Sequence, residues 1–302
     1  VILSFVLASG FAFSAHADAP APAKFRVVAS TSALADLARA VGGSDASVVS
    51  LARPSQDPHF VRVDRALGEP LAKADLLVFS GRELERGWLF SIVSNSGNAK
   101  IQVGAGGSLD ASSLVEPAAA PGTPPEKNIG DDHPEGDPHY LLDPRNGMKV
   151  ARGIAERLAK LDPTNADAYR KRADDYIGDL GGRIEQWERQ LRSQRGRQIV
   201  TYHRGWSYFA DWVGLVEVAT LEPRPGVPPT PEDVVRLIHQ MKEVRVRLVI
   251  VDTHDPQSTA LHVAKESGAR LLTLSAEVGS TPEARSYVSL FDADIKALLS
   301  SR

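Results

Sequence analysis

The sequence predicts an α/β protein of two lobes, each built on a parallel sheet, joined by one long rigid helix. Three observations predict it. Short runs rich in β-branched residues alternate with helix-spaced segments in the first third of the chain. The same alternation resumes after Arg197 and continues towards the end. Between the two lies a long stretch whose apolar residues recur only at spacings of three and four.

At the N-terminus, the apolar run VILSFVLASGFAF is too short to span about 30 Å of hydrocarbon as a helix. It is followed by Ala15-His16-Ala17 and the polar stretch DAPAPAK. This is the pattern of a secretory signal peptide over residues 1–17, with cleavage after Ala17. No later stretch is long and apolar enough to cross a bilayer, and the 302 residues contain no cysteine to carry a lipid, a disulfide or a thiolate metal site. The expected location is the periplasm, as a freely diffusing monomer.

The N-terminal lobe is expected over residues 25–145. FRVVAS reads as a strand, residues 32–41 as a helix behind a Ser/Thr cap, SVVSLA as a second strand, residues 65–74 as a helix and DLLVFSG as a third strand. Residues 105–136 turn to Gly, Ala, Ser and Pro, a composition that buries too little apolar surface to offset its ordering entropy, and are expected to form a mobile loop. Residues 147–194 read as a helical linker. Within it, Tyr169, Ala173, Ile177, Leu180, Ile184, Trp187 and Leu191 share one face of a spine helix over 164–193, which Gly181 and Gly182 weaken locally. Residues 197–302 form the C-terminal lobe. Its strands are QIVTYH, VEVATLE, RLVIVD and ARLLTLS, with helices at 206–213, 231–244 and 258–267.

A net charge of −3 and a pI near 6.3 leave no basic excess to neutralise phosphates, so no nucleic acid partner is expected. The histidines are more informative. Of eight, His59 and His139 each end an Asp-Pro-His tripeptide, in QDPHF and GDPHY. Proline fixes its own φ and supplies no N–H, so a histidine that follows it in a loop is held with little backbone freedom, as a metal ligand must be. His203 closes the run IVTYH, and ligands of open α/β sheets gather at the carboxyl ends of strands. If the lobes face each other across a cleft, the three imidazoles converge there, and three His with a carboxylate or water suit zinc.

These residues carry a resemblance. The stretches DPHF, ADLLVFSGRELERGW, GDPHYLLDP, TYHRGWSYFADWVGL, LEPRPGVPPTPEDV, VIVDTHDP and GARLLTL, in this order, are similar to the zinc/manganese-binding receptors of bacterial ABC importers. The resemblance covers nearly the whole chain after residue 17. It implies two α/β lobes on a rigid helix, metal binding by His59, His139 and His203, and delivery of the ion to an importer permease. Zn2+ is the expected ion and Mn2+ the alternative. Such receptors usually have an acidic fourth ligand after the last strand. Here that place reads LSAEVGS, with Ser275 at the nearest match and Glu277 two residues on. Asp252, at the end of RLVIVD, is the first choice for the fourth ligand, followed by Glu277 and water; a turn-capping role for Asp252 is an equal alternative. His133, in DDHPEGD, is a candidate for ion capture by the loop, whereas His239, His254 and His262 are read as surface or helix residues. A metallohydrolase, or a metal chaperone or adhesin using the same site, is the rival reading. The sequence contains no HExxH, GxSxG or phosphate-cradling glycine motif, so an enzyme is not expected.

Overall fold

The computed structural model describes residues 25–116, 136–224 and 226–301. The expected signal peptide and His133 lie outside these residues. The N-terminal lobe has four parallel strands, β1 (Phe25–Ala29), β2 (Ala46–Ser50), β3 (Leu76–Phe79) and β4 (Ser108–Asp110), in the order β2-β1-β3-β4. Helices α1 (Ser32–Gly42), α2 (Arg65–Lys73) and α3 (Leu89–Asn95) connect them. The C-terminal lobe repeats the plan. Its strands β5 (Gln198–Thr201), β6 (Val216–Thr220), β7 (Leu248–Asp252) and β8 (Arg270–Leu274) are parallel in the order β6-β5-β7-β8. The helices belonging to this lobe are α6 (Ser207–Val213), α7 (Pro231–Glu243), α8 (Gln257–Ser267) and α9 (Tyr287–Ser300).

Local chemistry sets the ends of these helices. The Asp64 carboxylate accepts from Ala66 N and Leu67 N at the start of α2, and Thr230 forms a reciprocal capping box with Asp233 at the start of α7, where Pro231 occupies the first turn. Helix α8 stops at Gly268, whose left-handed φ of 74° suits glycine.

Between the lobes run α4 (Pro144–Leu161) and the spine, α5 (Ala166–Leu191), whose 26 residues span about 39 Å. The spine passes unbroken through Gly181 and Gly182, because Leu180 and Ile184 on either side are anchored in the core. One apolar cluster runs from Val27 and Leu34 of the N-terminal lobe, through Ile154 and Leu180 of the linker, to Phe209, Leu248 and Phe291 of the C-terminal lobe. Two smaller clusters fill the far faces of the two sheets. The lobes are therefore packed on a shared core as well as tethered by a helix.

Part of the expected mobile loop at 105–136 is corrected: Ser108–Asp110 form strand β4 and Ala111–Leu114 a 3-10 turn. Leu109, Ala111 and Val115 are buried, and these three apolar residues in a polar surround are enough to seat an edge strand. Helix α9 was not anticipated either. Its Phe291 packs with Trp187 and Trp212 at ring-centroid distances of 5.5 Å, and Trp187 Nε1 donates to Asp292.

Candidate metal centre

The carboxyl ends of both sheets face the cleft. In the N-terminal lobe the loop after β2 carries Asp57-Pro58-His59, and the segment before α4 carries Asp137-Pro138-His139. The two tripeptides fold identically. Asp57 Oδ1 accepts from His59 N at 2.9 Å and from the same residue's Nδ1 at 2.8 Å. Asp137 Oδ1 does the same for His139, at 2.8 and 2.7 Å. A carboxylate only accepts, so each ring carries its proton on Nδ1 and has Nε2 to offer a cation. The first tripeptide is fixed from behind by Trp88 Nε1, which donates to Pro58 O at 2.9 Å. The second is held from both lobes: Arg82 donates to Asp137 O, and Ser207 Oγ bonds Asp137 Oδ2.

His203 stands two residues beyond β5, and its Nδ1 lies 2.7 Å from Glu222 Oε2. Strand pairing explains this partnership. The parallel ladder of β5 and β6 continues past its strand ends, with Leu221 N donating to Thr201 O and Glu222 N to Tyr202 O, so Glu222 is delivered beside His203. The Nε2 of His203 is buried and has no hydrogen-bond partner.

The three rings form a nearly equilateral triangle, with centroids 5.1, 5.2 and 5.3 Å apart. One ring nitrogen of each lies within 4.8 Å of the others. Tetrahedral zinc with Zn–N near 2.0–2.1 Å needs such nitrogens roughly 3.3 Å apart, so a modest contraction would complete coordination. The side chains of His59, His139 and His203 are only 9, 13 and 16% exposed. Gly205 makes this convergence possible, since a Cβ there would lie 3.1 Å from His203 Cδ2 and 3.2 Å from His139 Cδ2.

Burial holds the His59 pKa down to about 4; Asp57 opposes this, while the neighbouring rings reinforce it. Burial also disfavours the charged form of His203, but the Glu222 carboxylate overcomes it and the pKa is raised. Partial burial pushes the Asp57 and Asp137 carboxyls up, yet the histidines they face keep both below the usual range.

Asp252 is not part of the triangle: the three imidazoles alone form the cluster among the described residues. Asp252 ends β7 and lines the same cavity, but its carboxylate accepts from Ala276 N at 3.0 Å and Thr253 Oγ1 at 2.9 Å, and faces His254 Nδ1 at 3.2 Å. It ties the chain after β8 to the end of β7, while the carboxylate that closes the turn after β7 is that of Asp255, which accepts from Asp252 N at 2.7 Å. Glu277 is committed as well, with Oε2 accepting from Ser32 Oγ at 2.5 Å and Ala33 N at 3.1 Å at the start of α1. The chain after β8 is thus tied down where a fourth ligand was sought.

Sequence reasoning missed the three orienting carboxylates. For Asp57 and Asp137 the signal was the first residue of each tripeptide; for Glu222 it lay only in the pairing register. His254, read as a surface or helix residue, instead lines the cavity beside Asp252 and Asp255, and these partners raise its pKa to about 9 against the pull of burial.

Comparison with known proteins identifies the family. The model of the family described as zinc-uptake complex component A, periplasmic, matches residues 27–301. The chain belongs to this family. Its members are substrate-binding receptors of metal ABC importers and not enzymes, which sets the hydrolase reading aside. A manganese ABC transporter substrate-binding lipoprotein of Streptococcus pneumoniae is 26% identical over 250 residues, covering 81% of this chain and 77% of its own. An iron ABC transporter substrate-binding lipoprotein of Streptococcus pyogenes serotype M1 is 25% identical over 256 residues, with the same coverage. A crystal structure of ZnuA shares the fold, with a TM-score of 0.77 at 22% identity, over 92% of this chain and 98% of that one.

Proposed function

We propose that this receptor captures a single zinc ion between its lobes with His59, His139 and His203 and delivers it, in the periplasm, to the permease of an ABC importer. The observation that carries the reading is the triangle of imidazoles, each with Nδ1 on a carboxylate and all three converging across the cleft. An all-nitrogen set favours zinc over manganese, which prefers oxygen donors and higher coordination numbers. The engagement of Asp252 and Glu277 elsewhere supports a solvent molecule, and not a carboxylate, at the fourth position. Relatives named for manganese and iron make metal identity the point to test.

The test is calorimetric titration of metal-free protein with zinc and manganese, beside elemental analysis of protein purified without added metal. Zinc should bind one to one and outcompete manganese at neutral pH. It should also raise the melting temperature, since saturation at a hundredfold excess over Kd adds about 2.7 kcal/mol to the folded state. His59→Ala, His139→Ala and His203→Ala should each weaken zinc by at least the roughly 10- to 100-fold that loss of an outer partner costs. A variant that binds like the parent removes that histidine from the site, and equal affinity for manganese overturns the zinc assignment.

A further inference from the structure

The three imidazoles are mostly buried, and a cavity beyond His59 and His203 leads to them. The lining of this cavity includes Phe60 from the N-terminal lobe and Gly226 and Pro228 from the C-terminal lobe. Phe60 follows the ligand His59 directly, and the two rings lie 6.0 Å apart. The aromatic edge reaches across the cleft onto the backbone at Gly226: a Cβ placed there would lie 2.6 Å from Phe60 Cζ and 3.2 Å from Cε2. Gly226 has φ of 73°, a conformation that glycine tolerates at no steric cost. Phe60 is nonetheless 58% exposed, so it caps the mouth without being part of the core.

The Gly226 side of this contact is wired to the site. Glu222 divides its two oxygens between them: Oε2 meets His203 Nδ1 at 2.7 Å, and Oε1 accepts from Gly226 N, also at 2.7 Å. The carboxylate that aims the ligand ring therefore also anchors the segment on which Phe60 rests. A cation on His203 Nε2 would draw electron density from the ring and make Nδ1–H a stronger donor to Glu222.

We propose that the Phe60–Gly226 contact is the gate through which the ion enters and leaves, and that Glu222 couples this gate to His203. The proposal rests on the three-histidine reading of the site. It gives two residues that need not touch the ion, Phe60 and Glu222, different kinetic duties. Phe60 sets how fast the ion passes in either direction, and Glu222 sets how firmly the loaded site stays closed.

The experiment is stopped-flow kinetics on the full chain, with zinc added to metal-free protein for association and a chelator added to loaded protein for release. Phe60→Ala should raise both rates by a common factor of about ten, leaving Kd within about twofold of the parent. Phe60→Trp should slow both. Glu222→Gln should instead raise release with little change in association, because glutamine offers one carbonyl oxygen where the carboxylate serves two donors. Because Phe60 is largely exposed, its truncation should leave the melting temperature unchanged, which separates a gating effect from a folding one. Unaltered rates in Phe60→Ala, or a change in release alone, overturn the gate. A Glu222→Gln protein with both parental rates overturns the coupling. Failure of the parent to bind zinc would instead overturn the function proposed above, so the two failures are distinguishable.

Discussion

The two lobes share one strand order yet hold their candidate ligands by opposite strategies. In the N-terminal lobe a histidine is aimed by the aspartate two residues before it, through one oxygen that takes both the backbone N–H and the ring N–H. The same solution recurs in the segment before α4. In the C-terminal lobe the aiming carboxylate arrives 19 residues later along the chain, through the pairing of β5 with β6. Local aim depends on a tripeptide, and long-range aim depends on the integrity of a sheet. The difference teaches that equivalent ligands can have very unequal tolerance to change.

The sharpest way to break the comparison is to neutralise the carboxylates without altering their shape. Glu222→Gln should weaken zinc by about 10- to 100-fold, since both its oxygens are engaged and only one carbonyl remains to serve two donors. Asp57→Asn should cost much less. Asn Oδ1 can accept both bonds that Asp57 Oδ1 now accepts, so orientation survives and only charge is lost. Asp137→Asn should behave like Asp57→Asn, because its second oxygen faces the Ser207 hydroxyl, which can accept as well as donate. Zinc titration of the three variants checks the order. Equal losses would show that charge, and not geometry, is what the carboxylates supply.

The same contrast explains what could be read from the sequence. The two Asp-Pro-His tripeptides are legible because each carries its whole mechanism within three residues, proline restricting the backbone and the aspartate doing the aiming. The lobes and spine were legible because β-branched runs and three-four spacing are local patterns. Glu222 was illegible because nothing near it marks its pairing with His203; only the β5–β6 register places it. Asp252 was favoured for its strand-end position, correctly placed in the cavity wall, but sequence could not show that Ala276 N and Thr253 Oγ1 already take up its oxygens. Strand β4 was hidden in a Gly/Ser-rich context by being only three residues long.

Acidification should also separate the lobes. Zinc needs neutral imidazoles, so protons compete with it. His203 has a raised pKa and takes its proton before His59 as pH falls, since the His59 pKa is held down to about 4. Affinity should therefore be full above the His203 pKa and fall by about tenfold per pH unit below it, one proton at a time. Removing the Glu222 charge takes away the interaction that raises this pKa, so Glu222→Gln should shift the acid limb to lower pH even as it lowers the plateau. Asp57→Asn removes a smaller contribution to the same shift and should move the limb in the same direction but less far. Titrations at half-unit intervals would check both shifts, and a limb that moves further with Asp57→Asn than with Glu222→Gln would assign it to the N-terminal lobe instead.

The smallest expected effect comes from Gly205, where the two strategies meet. Its backbone passes so close to His139 and His203 that an added methyl would press on both, at 3.2 and 3.1 Å from their Cδ2 atoms. Contacts that tight require neighbours to yield by a few tenths of an ångström, and both rings are restrained at Nδ1. His139 is restrained by its own tripeptide, which belongs to a loop outside either sheet and is held through Asp137 by Arg82 and Ser207. His203 is restrained by Glu222, just past the end of a paired strand, and yields less. Gly205→Ala should therefore move His139 more than His203, weakening zinc by only several-fold, roughly 1 kcal/mol, with no change in the melting temperature of the metal-free protein. Combining it with Asp57→Asn should add simply, whereas combining it with Asp137→Asn should not, because only Asp137 holds the ring that has to move. Additivity in both double variants would mean that the methyl displaces His203, and the C-terminal lobe would then be the more compliant of the two.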